Sequence, residues 1–219
     1  MSKNDNIHEL ITSAETDILQ EIMNIAFGRA AADLAEFIDI FVVLSVPQIK
    51  LLQAFDLPAY INSEIMDYDK DKVSVVEQSF RGRFKGSAFL VFPAGTGKRM
   101  ISLFEGKDEL FEKDYSHELE KETFMEVGNI LIGACIGKLA ELLDDIATYS
   151  PPRVVVEKSL HGVYENIIEP DSMAIVLRTV FSFNEKDVSG FMFVLTKQES
   201  FAWLKSALHK FLEQYDYQE

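Results

Sequence analysis

The sequence predicts an α+β fold: one internally duplicated domain, its mostly antiparallel β-sheet packed against two long, pseudo-symmetry-related helices, with shorter helices at the margins. Three observations carry this. Residues 17–47 and 122–152, overlaid without gaps at a displacement of 105, are identical at 10 of 31 positions, which marks one structural unit used twice. Each copy opens on a long stretch whose apolar residues recur at helical spacing. Each then passes through short β-branched and aromatic runs, paired about turns, to a shorter helix. The repeats cover about 12–104 and 117–212. No low-complexity linker divides them, so one fused core is expected.

Residues 1–11 read as a polar lead-in, and Thr12-Ser13-Ala14-Glu15 as a capping box, Thr12 capping the helix and Glu15 reaching back. A helix follows over about 13–38. Ile18, Ile22 and Ile25 share one face, and Asp17, Glu21, Asn24 and Gly28 form a second stripe at i, i+4, i+7 and i+11. Glycine costs about 1 kcal/mol inside a helix, so Gly28 is expected to admit another backbone. Phe41–Val46 reads as a strand, and Pro47 belongs at a strand end, an edge or a bulge. A strand near 49–52, a short helix near 59–66, strands over 72–80 and 84–92 joined at Arg81-Gly82-Arg83, and a helix over 96–104 complete the first half. A charged connector, 105–116, leads to the second long helix at 117–143, where Glu122, Glu126, Asn129 and Gly133 repeat the stripe. Short strands near 146–149 and 154–157 precede Pro152 and follow it. A strand pair at 174–183 and 190–196 comes next, and a helix over 198–212 that Trp203 is expected to anchor ends the second half.

The net charge of −15 opposes non-specific nucleic-acid binding, which needs clustered cations, and gives no electrostatic hold on anionic lipid. Cys135 is the only cysteine, so an internal disulfide and a cysteine-clustered metal site are excluded; in an apolar helix it reads as a small buried hydrophobe. The N-terminus is no secretory signal, and no apolar run is expected to reach the roughly 18 residues of a membrane span. A cytoplasmic protein is expected. The four histidines, His8, His117, His161 and His209, lack metal spacing, and no metal site is expected. Gly95-Thr96-Gly97-Lys98 is not a phosphate loop: Phe92 stands where the first glycine belongs and Arg99 where Ser or Thr is required.

What recurs is an acid and an amide three residues apart, Glu21/Asn24 and Glu126/Asn129. Packing accounts for the shared Gly28/Gly133, Leu34/Leu139 and Pro47/Pro152. It accounts badly for the Glu–Asn pairs, because a charged residue makes poor core. Side-chain exposure is expected for all four.

The pattern Asp17-x3-Glu21-x2-Asn24-x22-Pro47, echoed as Glu122-x3-Glu126-x2-Asn129-x22-Pro152, resembles the signature of the CheC/CheX/FliY chemotaxis phosphatases, in the two-site arrangement of CheC. The leading position is Asp or Ser in the family, so Glu122 departs from it by one methylene. The resemblance implies a CheC-like fold and hydrolysis of the aspartyl phosphate of a CheY-type response regulator. Asn24 and Asn129 would position the attacking water, as a glutamine does in small GTPases. Glu21 and Glu126 would pair with a lysine of the partner, with Asp17, Pro47, Glu122 and Pro152 supporting the motif. No cofactor of its own is implied; Mg2+ would belong to the phosphorylated partner. With both surfaces acidic, short-range docking at a modest on-rate is expected. Two alternatives stand beside catalysis. One is a CheC-like adaptor that holds a regulator or a CheD-type deamidase. The other is a FliY-type component of the flagellar switch, for which the chain's end at Glu219 is expected to leave no room for a switch domain.

Overall fold

The computed structural model describes residues 11–38, 41–64, 73–93, 95–105, 117–156, 173–183 and 188–216. The lead-in over 1–10, the connector over 106–116 and the link over 184–187 lie outside them.

Helix α1 spans Ser13–Ile38. Its start is the expected box: the Thr12 N–H donates to Glu15 Oε2 (2.8 Å) and the Glu15 N–H to Thr12 Oγ1 (3.1 Å). Glu15 is itself buried. Burial alone would push its carboxyl up, but hydrogen bonds from Thr12 and from Lys205 of the terminal helix outweigh it and hold it below the ordinary 4.5. A depressed carboxyl stabilises the fold above its unfolded pKa and loses that contribution as pH falls through its folded value. Glu15→Ala is therefore expected to cost about 1–2 kcal/mol near neutrality, and less as the pH drops below 4.5. Urea melts of both proteins across pH 3–7 check this; curves that stay parallel would contradict it. Ile11 is a correction to the polar lead-in. It is buried with Leu19, Ile22 and Met23 of α1 in the main core, just ahead of the cap.

Strands β1 (Val42–Leu44) and β2 (Gln48–Gln53) follow, then a single 3-10 turn and α2 (Leu57–Glu64). β3 (Ser74–Arg81), β4 (Gly86–Phe92) and α3 (Thr96–Glu105) complete the first half. The second half comprises α4 (His117–Leu142), β5 (Thr148–Tyr149), β6 (Arg153–Val156), β7 (Met173–Phe183), β8 (Ser189–Lys197) and α5 (Phe201–Asp216). The protein is α+β, with one eight-stranded sheet in which every pairing is antiparallel. The order is β1-β7-β8-β4-β3-β5, with β2 also on β7 and β6 also on β3. The early strands of each half thus edge the hairpin of the other half. The hairpins share a register: Phe80↔Gly86 and Ser74↔Phe92 in one stand as Phe181↔Gly190 and Ile175↔Thr196 in the other.

One sheet face carries Val76, Phe80, Leu90 and Phe181 against α1, α4 and α5; the other gathers Val75, Phe89, Val91, Phe191 and Phe193 around Leu57 and Tyr60 of α2. Helix α4 is long and apolar enough to cross a membrane by length and composition, contrary to the expectation that no stretch would be. Phe124, Val127, Leu131, Ile132, Cys135, Ile136 and Leu139 instead lie buried in the core. The Cys135 thiol is fully buried and burial pushes its pKa up. Helix α4 ends in a Schellman motif: Asp144, in the left-handed region at φ 55°, donates to the Glu141 carbonyl (3.2 Å), and the Asp145 N–H to that of Ala140 (2.8 Å). Helix α5 is held by Phe201, Leu204, Leu208 and Phe211, all buried, and Trp203, half-buried, packs against the same core.

Candidate functional site

The stripe on each long helix is outward. Asp17, Glu21 and Asn24 of α1 are exposed, and so are Glu122, Glu126 and Asn129 of α4. Their neighbours on the inner faces are not: Ile22, Met23, Ala26, Val127, Gly128 and Leu131 are buried. Helices α1 and α4 pack on each other, and Lys138 Nζ of α4 lies 3.0 Å from Asp33 Oδ2 of α1. Each asparagine lies nine residues before its end of this bridge (33 − 24 and 138 − 129), roughly 14 Å along its helix axis.

The distant proline of the motif has a local explanation. Pairing of β1 with β7 follows Leu44↔Phe181, and pairing of β2 resumes at Gln48↔Arg178. Ser45, Val46 and Pro47 therefore oppose only Thr179 and Val180, a bulge, which is where a residue without an N–H fits. The same occurs at Ser150, Pro151 and Pro152, opposite Gln78 and Ser79. In each bulge the serine carries the pairing. The Ser45 N–H donates to the Val180 carbonyl (2.8 Å) and Ser45 Oγ accepts from the Val180 N–H (2.9 Å). The Ser150 N–H donates to the Ser79 carbonyl (2.9 Å) and Ser150 Oγ accepts from the Ser79 N–H (3.1 Å). Pro47 is buried and Pro152 half-buried.

Beside the second bulge sits a residue that the sequence did not single out. Gln78 of β3 is buried, and its Nε2 donates both to the Ser150 carbonyl (3.0 Å) and to Asn129 Oδ1 (2.9 Å). Its own Oε1 is buried with no hydrogen-bond partner among the described residues, an arrangement that costs about 1–3 kcal/mol. Gln78 was concealed because the two bulge serines, Ser45 and Ser150, lie 105 residues apart, whereas the strand residues they pair with, Val180 and Ser79, lie 101 apart. A gapless overlay therefore never sets Gln78 beside Thr179, its counterpart.

Gly28, expected to admit another backbone, does not, and neither does Gly133. A Cβ on either would meet nothing within 4 Å. The Tyr149 hydroxyl donates to the Gly133 carbonyl (3.3 Å). Neither glycine has a positive φ, so Gly28→Ala and Gly133→Ala are each expected to stabilise the protein by up to about 1 kcal/mol, read as a rise in urea midpoint. What the two glycines provide is a bare helix surface one turn beyond each asparagine. Among the described residues no group of three or more His, Cys, Asp or Glu is arranged to hold a metal ion.

An α+β core bearing two outward acid–amide pairs is the class this structure defines. FliY from Thermotoga maritima has the same fold, with a TM-score of 0.68 at 19% identity over 91% of this chain and 98% of that one. The FliM middle domain from H. pylori matches with a TM-score of 0.58 at 11% identity, covering 90% of this chain and 99% of that one. In sequence, the profile of the CheC-like family matches residues 15–51, the stretch that holds Asp17, Glu21, Asn24 and Pro47. CheY-P phosphatase CheC of Bacillus subtilis (strain 168) is 26% identical over 204 residues, 90% of this chain and 95% of its own length. The chain is thus CheC-like in sequence and FliY-like in fold.

Proposed function

We propose that the chain is one CheC-like domain built of two repeats, about 12–104 and 117–212, and a cytoplasmic phosphatase that hydrolyses the aspartyl phosphate of a CheY-type response regulator. The observation that carries this is the exposure of Asn24 and Asn129, each with an exposed glutamate one turn earlier, on helices whose adjoining faces are buried. An aspartyl phosphate is a reactive acyl phosphate. Its hydrolysis needs a water in line with the P–O bond and stabilised charge more than a covalent intermediate. A carboxamide is no base at neutral pH, but hydrogen-bonded to a water it holds that water in line. The water oxygen bonds to phosphorus, the bond to the aspartyl oxygen breaks, and inorganic phosphate and the free carboxylate leave. Glu21 and Glu126 dock against a lysine of the regulator through charge-assisted hydrogen bonds. Any magnesium is the regulator's own.

The bare surface at Gly28 and Gly133 gives the partner room beside each amide. The alanine variants described above are therefore expected to raise stability while lowering turnover.

The test is the decay of a CheY-type regulator charged with acetyl phosphate, followed with and without the protein at catalytic concentration. Acceleration is the expected result. Unaccelerated decay would sink the phosphatase reading. Unaccelerated decay with retained binding of the charged regulator would favour a CheC-like adaptor.

A further inference from the structure

We infer that Gln78 is a positioning residue for the second acid–amide pair: it sets which end of the Asn129 amide faces the partner, and so makes the two sites inequivalent. The inference rests on the phosphatase reading and deepens it. A main-chain carbonyl only accepts, so the 3.0 Å contact with the Ser150 carbonyl identifies the nitrogen end of Gln78. The second proton of that nitrogen then requires an acceptor at 2.9 Å, which orients Asn129 with Oδ1 toward the sheet. That bond uses one lone pair of Oδ1; its other lone pair and the amide nitrogen are left for the water or partner group that approaches from outside.

The first site is built differently at this point. Thr179 occupies the corresponding register position, and its hydroxyl proton is directed at the Ser45 carbonyl at 2.6 Å. None remains for Asn24, whose side chain makes no hydrogen bond among the described residues. The two bulges therefore satisfy the same serine carbonyl with different side chains, and only the glutamine reaches on to the amide. Gln78 does so while its own oxygen stays buried and unpartnered, an expense that Thr179 avoids. A group whose orientation is set in advance loses less freedom on reaching the reactive geometry. The second site is thus the preorganised one.

The decisive variant is Gln78→Thr, which installs the first half's residue in the second. A threonine there retains a hydroxyl for the Ser150 carbonyl, so the bulge keeps its partner and only the bond to Asn129 is lost. In an Asn24→Ala background, decay of the phosphorylated regulator is expected to slow about tenfold in kcat with little change in KM. Relaxation of side-chain amide nitrogens gives a readout independent of turnover. The Asn129 amide is expected to be more rigid than that of Asn24, and Gln78→Thr to bring it to the Asn24 level. The reciprocal Thr179→Gln, in an Asn129→Ala background, is expected to raise kcat. Equal mobility of the two amides in the unmodified protein would overturn the proposal. So would an unchanged kcat in Gln78→Thr, or an equal loss from that substitution once Asn129 is alanine, since the effect would then act through the fold. If the unmodified protein does not accelerate decay at all, the phosphatase reading fails, and the relaxation data still decide whether Gln78 orients Asn129.

Discussion

The Asn24→Ala/Asn129→Ala double variant is expected to fold normally and to lose nearly all acceleration of regulator dephosphorylation. Water positioning is worth several kcal/mol, and each 1.36 kcal/mol is about a factor of ten in rate, so a loss of roughly a hundredfold or more is anticipated. Stability should move little, because both residues are exposed and alanine is the better helix former by up to about 0.7 kcal/mol. Asn129→Ala also removes the bond from Gln78, but Gln78 Nε2 keeps the Ser150 carbonyl, so its cost should stay near 1 kcal/mol. Each single variant retains one site, and the two rates need not be equal. The checks are decay of the charged regulator, urea unfolding of each variant, and binding of the charged regulator to the double variant. Decay as fast as with the unmodified protein would refute a catalytic role for both amides.

Much of the architecture was legible because it is written locally. The capping box at Thr12 and Glu15 and the helix over 13–38 follow from a polar start and a 3.6-residue period, and both stand where expected. Exposure of Glu21 and Glu126 followed from the cost of burying a charge without a partner. What escaped depends on contacts across the chain. Pro47 implied a bulge or an edge, but not that a serine two residues earlier would complete the ladder there. Ile11 looked like the end of a polar segment, since its burial depends on packing with Leu19 and Ile22. Gln78 stood only as one residue of the strand expected over 72–80; it gains significance from Asn129, 51 residues later. The close approach expected at Gly28 is absent, where space is open as it is at Gly133, and it occurs instead at Gly86 and Gly190.

Those last two glycines carry the largest expected effect on stability. The ladder between β4 and β8 runs from Gly86↔Thr196 to Val91↔Phe191 and joins the hairpins of the two halves. A Cβ at Gly86 would lie 2.1 Å from the Leu195 carbonyl oxygen, and one at Gly190 would lie 2.5 Å from that of Val91. Phenylalanine rings close in as well, Phe80 at 3.1 Å from the first and Phe181 at 2.5 Å from the second. A ring can turn aside, but the carbonyls belong to the central strand pair and cannot retreat without opening it. Gly86→Ala and Gly190→Ala are each expected to cost about 3 kcal/mol, the upper part of the range for overpacked cores. In a domain of this size that lowers Tm by roughly 6–12 °C. Set against a whole-domain stability of about 5–15 kcal/mol, the roughly 6 kcal/mol lost by the double variant takes from two-fifths to all of it. Thermal melts of the four alanine variants set the two kinds of glycine apart: Gly28 and Gly133 should rise where Gly86 and Gly190 fall. Melts of Gly86→Ala and Gly190→Ala that match the unmodified protein would mean that β4 and β8 do not approach as closely as this packing requires.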